Sequence, residues 1–310
     1  MRKLLPLLIV LLLALIAVYG AAGQDLLEAD PSIAHTENSA EIHLAAPAAE
    51  TDGTWISGGP IGGYVTCLAV APSNPNVMYA GTKGQIYKTS DGGATWTWVG
   101  QLYYYLGDTP LTTAATILDL EVAPDNPDVV YAGTESGINI SQNGGRDWIN
   151  TWPGYLVVVN SIAIDPTNPQ NVLIGTGDTP YQRSEEVIGI FKSTDGGESW
   201  VAKSTGLTNL YVRDVEIHPS NSLIYFAGTE GGAFISVDGG NNWSENNNGL
   251  SCTEIYSMAI DDTGSKVLAG TYWGGVYRSI NMGAWEQKIT GMKNTFVWDL
   301  DVNPIDNSII

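Results

Sequence analysis

The chain has 310 residues, with 13 Lys and Arg against 33 Asp and Glu, which gives a formal net charge of −20 at pH 7. A surface this acidic repels the phosphates of nucleic acids and the anionic headgroups of membranes, so the composition excludes both as the main partners. Neutral or cationic partners, including sugars, remain open.

The N-terminal segment 1–23 has the pattern of a signal peptide. Two basic residues, Arg2 and Lys3, precede a long apolar run that ends in small residues. The run approaches the length of a membrane span, so an uncleaved N-terminal anchor is the alternative. Residues 24–53 show no periodicity and predict a flexible linker. The sequence therefore predicts a secreted or cell-surface protein whose folded domain is 54–310.

One eight-residue pattern, Ser/Thr-x-Asp/Asn-x-Gly-x-x-Trp, recurs along this domain. The copies read TSDGGATW, SQNGGRDW, STDGGESW and SVDGGNNW, and a fifth, SINMGAW, lacks one residue. An Asp or Asn at the third place accepts bonds from nearby backbone N–H groups and closes a turn, and Gly at the fifth place supplies a positive φ. We expect the Trp to pack back over the turn. We predict a structural role for the five third-place residues, which are Asp91, Asn143, Asp195, Asp238 and Asn281.

The third-place residues are spaced 52, 52, 43 and 43 apart, which is typical of a propeller or solenoid. Each repeat contains an apolar strand such as ILDLEVAP, a second strand ending in Gly-Thr, a third short strand, the turn, and a fourth strand opened by Trp. Four antiparallel strands make one blade of a β-propeller. We predict an all-β fold with five complete blades, a closing strand from about Thr54, and a first strand of a sixth blade near Val297 to Val302. Five blades and a stub do not close a ring, so we expect the sequence to be an incomplete part of a larger one.

The loops of one face are the predicted ligand site. In a propeller, the second-to-third loops and the crossovers between blades lie opposite the repeated turns. The two longest insertions fall there, at Gln101 to Thr116 and Gly177 to Val187. Exposed aromatic rings beside carboxylates suit the stacking and hydrogen bonding of sugars, although the rings can instead pack loops onto blades. The candidate ligand-binding residues are Tyr103, Tyr104, Tyr105, Asp178, Tyr181, Glu185, Glu186 and Trp273.

The predicted first strands alternate between acidic and small residues. Their third residues are Cys67, Asp119, Ser161, Asp214, Ser257 and Asp299, and their fifth are Ala69, Glu121, Ala163, Glu216, Ala259 and Asp301. First strands surround the axis of a propeller. The acids are therefore predicted either to crowd into an acidic channel, which leaves calcium open as a cofactor, or to bond the backbone of the neighbouring blade. No other metal site or cofactor is predicted.

The repeats resemble those of the Asp-box (BNR) propellers, a group that includes sialidases, sortilin-type receptors, the photosystem II assembly factor and family 74 xyloglucanases. Gly58 to Thr89 resembles the opening blade of the xyloglucanases. That resemblance implies a catalytic Asp directly after the Gly-Thr of the second strand, where this sequence has Lys83. The Arg-Ile-Pro motif of the sialidases is missing from this sequence. The resemblance therefore implies the fold, and we predict no catalytic residue.

Two functions follow from these observations. The first is a secreted or cell-surface propeller that binds a glycan or an extracellular protein through its loop-rich face, without catalysis. The alternative is a glycoside hydrolase of the xyloglucanase-like type, in which Asp178, Glu185 or Glu186 supplies the acid.

Overall fold

The computed structural model of this chain describes residues 64–106, 109–152, 157–177 and 189–303, without the side chains of 105, 106 and 109. All of them belong to one unit of the chain, 46–310. They form five four-stranded antiparallel sheets and one two-stranded sheet, and no helix occurs among them. The predicted all-β fold is confirmed. The predicted signal peptide, linker and closing strand lie outside the described residues.

Each four-stranded sheet is one predicted blade, and strands that are neighbours in the chain pair with each other. Blade 1 contains β1 to β4, at Cys67–Val70, Met78–Gly81, Gln85–Thr89 and Thr97–Gln101. A two-stranded hairpin follows, with β5 at Tyr103–Leu106 and β6 at Thr109–Ala114. Blade 2 contains β7 to β10, at Ile117–Val122, Val130–Thr134, Gly137–Ser141 and Ile149–Asn150. Blade 3 contains β11 to β14, at Val159–Ile164, Val172–Thr176, Ile190–Ser193 and Val201–Ala202.

The last two complete blades repeat this order. Blade 4 contains β15 to β18, at Val212–Ile217, Tyr225–Thr229, Gly232–Ser236 and Ser244–Glu245. Blade 5 contains β19 to β22, at Ile255–Ile260, Lys266–Thr271, Gly275–Ile280 and Trp285–Lys288. The strand boundaries follow the sequence pattern because each Asn-Pro turn or Gly-Thr pair ends a run of β-branched and aromatic residues.

The core lies between consecutive blades. The first strands lie side by side, β1 against β7, β7 against β11, β11 against β15 and β15 against β19. Leu120 and Val122 of β7, both almost fully buried, pack against Tyr79 and Ile86 of blade 1. The same register recurs between later blades. Each blade therefore covers the apolar face of the one before it. A single four-stranded sheet would leave that face exposed to water and would not be stable alone.

The sixth first strand is only partly as predicted. Val297 and Val302 are buried against Leu268 of blade 5, and the Val297 N–H donates to the Thr271 carbonyl at 3.2 Å. The segment is nevertheless not a strand. A strand needs a ladder partner, and none pairs with this segment among the described residues. The apolar side chains of this segment are therefore packed against blade 5, although its backbone joins no sheet among the described residues.

The repeated turn is held by its own side chains. In blade 3, Asp195 Oδ1 accepts bonds from Ser193 Oγ at 2.7 Å and from the Ser199 N–H at 2.9 Å. Ser193 Oγ in turn accepts the Gly197 N–H at 2.7 Å. Gly196 and Gly197 have φ of 72° and 89°, a conformation that strains any residue with a Cβ. Equivalent bonds close the turns of blades 1, 2 and 4.

The tryptophan of the turn does more than the predicted packing over its own turn. Trp200 Nε1 donates to Thr151 Oγ1 of the preceding blade at 3.2 Å. Trp243 Nε1 donates to the Lys203 carbonyl at 2.7 Å, again across a blade boundary. Trp148 is the exception that follows the prediction, because its Nε1 bonds the Gly145 carbonyl of its own turn at 2.8 Å. The indole thus serves as a tie between blades.

Candidate functional site

The first strands surround a cavity of about 680 Å³, which we call the central cavity. It is lined by equivalent positions from all six repeats. The second positions are Thr66, Leu118, Asn160, Arg213, Tyr256 and Trp298, and the third are Cys67, Asp119, Ser161, Asp214, Ser257 and Asp299. Six successive repeats present the same two positions to one space because their first strands run around a common axis.

The acids of this cavity bond the neighbouring blade, as one of the two interpretations predicted. Asp119 Oδ2 accepts the Ile162 N–H at 2.7 Å. Asp214 Oδ2 accepts the Met258 N–H at 2.6 Å, and its Oδ1 accepts Ser161 Oγ at 2.6 Å. Each acid thereby ties its own first strand to the small-residue strand beside it.

The acids also crowd one another. Burial, followed by the charge of Glu121, raises the pKa of Asp119 well above its ordinary value. Burial raises the pKa of Asp214 to about 6 and that of Glu121 to about 8, with the charges of Asp301 and other acids adding to the increase. Burial and the surrounding acids likewise raise the pKa of Glu216. Burial and mutual repulsion therefore favour the protonated forms of these carboxyl groups. In the described part of the chain, no three His, Cys, Asp or Glu side chains are placed to bind one metal ion.

Five aromatic rings meet at the mouth of the cavity, and we call them the aromatic platform: Tyr256, Tyr272, Trp273, Phe296 and Trp298. The centroids of Tyr256 and Trp298 are 5.1 Å apart, those of Phe296 and Trp298 4.9 Å, and those of Tyr272 and Trp273 5.6 Å. Trp273 is 62% exposed and Trp298 48%. Large rings that pack against one another yet stay partly exposed are suited to contact a ligand.

The turn that carries Trp273 is one residue longer than its counterparts in blades 1, 2 and 4. In blade 4, Thr229 Oγ1 bonds the carbonyl three residues on, whereas Thr271 Oγ1 bonds the Gly275 carbonyl four residues on, at 2.9 Å. The extra residue brings Trp273 into a positive φ of 65°. Thr295 Oγ1 holds the Trp273 carbonyl at 2.9 Å. A bulky residue is rare in this conformation, and such strain concentrates at functional sites.

A buried ion pair contacts the aromatic platform at Tyr256. Arg213 Nη2 donates to Glu230 Oε1, and the two side chains are 5% and 12% exposed. The guanidinium lies 5.5 Å from the centroid of the Tyr256 ring, within the range of a cation–π contact. Arg213, Tyr256 and Phe296 are not among the candidate residues predicted from the sequence. Arg213 and Tyr256 occupy the second position of their first strands, and this repeated position is the signal in the sequence that marks them.

The predicted tyrosine insertion, a crossover between blades 1 and 2, contains a two-stranded hairpin. Tyr103 and Tyr104 lie on β5, which pairs with β6. Tyr104 Oη donates to Glu135 Oε2 at 2.6 Å, and burial raises the pKa of Tyr104. The bond to Glu135, whose side chain lines the central cavity, anchors the hairpin at the cavity mouth. Tyr105 shares β5, but its side chain is outside the description.

The second predicted insertion lies outside the described residues, and with it Asp178, Tyr181, Glu185 and Glu186. Lys83 is exposed and lines the central cavity, at the place where the xyloglucanase resemblance implies an Asp.

A larger groove, about 900 Å³, lies between the first two repeated turns. Its polar side chains are largely satisfied by one another. Lys88 Nζ pairs with Asp128 at 2.7 Å, and Asp91 accepts bonds from Thr89 and Thr95. We therefore regard the smaller central cavity as the better candidate, despite the difference in volume.

The fold is that of a β-propeller. The chain is similar to an ancestral GH74 enzyme, with 22% identity and a TM-score of 0.63 over 79% of this chain and 34% of that one. The GH74 enzyme of Niastella koreensis matches with 20% identity and a TM-score of 0.62, over 79% of this chain and 43% of that one. YCF48 bound to a D1 peptide matches with 14% identity and a TM-score of 0.52, over 75% and 70% of the two chains. The propeller thus spans less than half the length of the two GH74 enzymes. Identities this low establish the fold and leave the function open.

Neither a protein-family model nor a curated protein matches this propeller. In the part of the chain that the structure describes, there is no helix with the length and hydropathy of a membrane span.

Proposed function

We propose that this propeller is a secreted or cell-surface binding module, without catalysis, that holds a glycan at the aromatic platform. The exposed ring of Trp273, held at a positive φ, is the observation that carries the proposal. A backbone strain of this kind persists only where surrounding bonds enforce it. We further propose that the repeated turns are Asp boxes with a purely structural role, and that nucleic acids and membranes are not partners.

The platform and the cavity mouth together provide what a sugar chain requires. The C–H faces of sugar rings stack on aromatic planes such as Trp273 and Trp298, while carboxylates beside them accept bonds from hydroxyl groups. Asp299 and Glu135 line the same cavity as Trp298. The undescribed candidates Asp178, Tyr181, Glu185 and Glu186 are proposed to extend this surface. An extracellular protein is the alternative occupant.

Binding by this platform can be tested with Trp273→Ala. We expect it to weaken binding to β-linked gluco-oligosaccharides by about 1–3 kcal/mol, as the loss of an anchoring ring does. Trp98→Ala is the matched control, because Trp98 is 55% exposed and lines the groove between the repeated turns instead. Isothermal titration of both variants against a cello-oligosaccharide hexamer, after a glycan array, gives the comparison.

Equal loss in both variants, or loss only in the Trp98 variant, would place the ligand elsewhere. Failure of every glycan to bind would remove the glycan and leave a protein partner to be sought. A reducing-sugar assay on β-glucans separates binding from hydrolysis. Turnover that survives Trp273→Ala would favour the hydrolase alternative.

A further inference from the structure

Small and acidic residues occupy three equivalent pairs of positions around the central cavity. Ser161 Oγ of blade 3 donates to Asp214 of blade 4 at 2.6 Å. Cys67 of blade 1 stands in the same relation to Asp119 of blade 2, whose charge contributes to raising the pKa of the thiol. By the same register, Ser257 of blade 5 corresponds to Ser161, and Asp299 corresponds to Asp214. The third pair, Ser257 and Asp299, differs from the first two pairs in one respect.

Ser257 Oγ has no hydrogen-bond partner in the described structure, although the residue is only 3% exposed. The residue lines the central cavity together with Asp299. A buried hydroxyl without a partner is unfavourable, and native proteins rarely leave one so. The hydroxyl, and the Asp299 carboxylate that lines the same cavity, are therefore available to an atom that enters it.

The cavity has an excess of negative groups. Its lining includes Asp119, Glu135, Asp214 and Asp299 against two cations, Lys83 and Arg213. Arg213 is already paired with Glu230, and Lys83 is exposed at the rim. A second set of acids lies near the first and interacts with it electrostatically: Glu121, Glu216 and Asp301. A cation bound here would relieve repulsion that the fold itself does not neutralise.

The surroundings favour an amine on a sugar over a metal ion. A metal needs several ligands converging at short distances, and the described acids do not provide three such groups. The cavity, about 680 Å³, is large enough for a sugar residue. It also opens beside Tyr256 and Trp298, whose rings attract a cation through their faces and stack on a sugar.

We propose that the central cavity selects glycans that carry a protonated amine, such as de-N-acetylated amino sugars, and binds the ammonium between Asp299 and Ser257. This inference rests on the proposed glycan-binding function. The sugar ring stacks on Trp298, and the three N–H donors of the ammonium bond the Asp299 carboxylate and Ser257 Oγ. An N-acetyl group removes the charge and two of those donors, so acetylated sugars are disfavoured.

Proton release should accompany binding. Asp214, whose pKa burial raises to about 6, lies near Asp299 and Ser161, and its neighbours Asp119, Glu121 and Glu216 have raised pKa values as well. A bound ammonium favours the ionised forms of all of them. Affinity should therefore increase with pH from 5 to 7, as long as the amine itself keeps its proton.

Three β-1,4-linked hexamers test the proposal on the full chain: glucosamine, N-acetylglucosamine and glucose. Binding is measured at about 0.15 M salt, because attraction between the cationic hexamer and surface charges more than about 8 Å away is then largely screened. We expect the glucosamine hexamer to bind at least about tenfold more tightly than the other two, as one charge-assisted contact provides.

Two variants test whether the preference for the glucosamine hexamer arises at Asp299 and Ser257. Asp299→Asn keeps the shape of an exposed side chain and should remove most of the preference, and Ser257→Ala should reduce it without lowering stability. Glu198→Gln, an exposed residue of a repeated turn, is the control that makes the same change in net charge. Equal binding of all three hexamers would overturn the inference and leave the proposed function standing. A preference that survives both cavity variants would also overturn it, and absence of all binding would remove the proposed function itself.

Discussion

Two sets of aspartates on the same blades have opposite electrostatics. At the repeated turns, hydroxyl and backbone N–H donors lower the pKa of Asp91, Asp195 and Asp238 to about 2. At the central cavity, burial and neighbouring acids raise the pKa of Asp119 and Asp214. Asp214 accepts three hydrogen bonds, as Asp195 does, so the number of donors does not explain the difference. The turn aspartates lie near solvent, whereas the cavity aspartates are buried among other acids. The residue type is the same, and the environment decides the ionisation.

Two buried serines differ in the same way. Ser193, in a repeated turn, donates to Asp195 and accepts the Gly197 N–H. Ser257, at the cavity, has an unpartnered Oγ among the described residues. The turns are thus completed by their own bonds, and the cavity retains unused donors and acceptors. Structural stability should therefore depend on the first region, and ligand binding on the second.

The largest effect on stability is expected from Ser193→Ala. The change leaves the buried Gly197 N–H without its acceptor, which costs about 1–3 kcal/mol of unfolding free energy. Urea denaturation measures it, with Glu198→Ala in the same turn as the control. A loss below that of the control would mean that the turn bonds contribute little, and the contrast with the cavity would fail.

A change of pH is expected to have an effect of intermediate size on the free energy of unfolding. A raised pKa means that folded Glu121 holds a proton which the unfolded chain releases, so the free energy of unfolding falls as pH increases from 4.5 towards about 8. Asp119 and Asp214, whose pKa values are raised mainly by burial, act in the same direction. We expect Tm to decrease over this range.

Glu121→Gln removes the charge and keeps the shape. It should increase the unfolding free energy at pH 8 by on the order of 1 kcal/mol and flatten the pH dependence. The measurement is Tm at several pH values, with Glu198→Gln as the control. A wild-type Tm that does not change between pH 5 and 8 would contradict the assigned crowding of acids.

The smallest effect is expected from Ser257→Ala. Removing a hydroxyl that has no partner should change the unfolding free energy by less than about 0.5 kcal/mol. The same urea denaturation detects it, and the contrast with Ser193→Ala sharpens the comparison directly. A loss as large as that of Ser193→Ala would show that Ser257 Oγ is bonded by a group outside the described residues.

Much of the fold could be predicted because it depends on local signals. The Gly pair of the first four turns, the Asn-Pro turns and the alternation of apolar residues each specify structure within a few residues. The alternation of acidic and small residues in the first strands also showed in the sequence, and the bonds of Asp119 and Asp214 follow it. The segment after Val297 is the instructive failure. Its apolar pattern was correct, but a strand requires a partner that the pattern cannot supply.

The sequence by itself determined the repeat, the strand order and the positions that face the axis, because these depend on short-range backbone preferences and on a fixed period. Only the tertiary structure decided that Tyr256, Phe296 and Trp298 join Trp273 in one platform, that the tyrosine insertion is a hairpin anchored on Glu135, and that Arg213 is paired with Glu230. Those contacts join residues of different blades or loops. The spacing of residues along the chain gives equivalent positions, such as those of Arg213 and Tyr256, but the choice of partner depends on distances between neighbouring strands and loops in the folded protein.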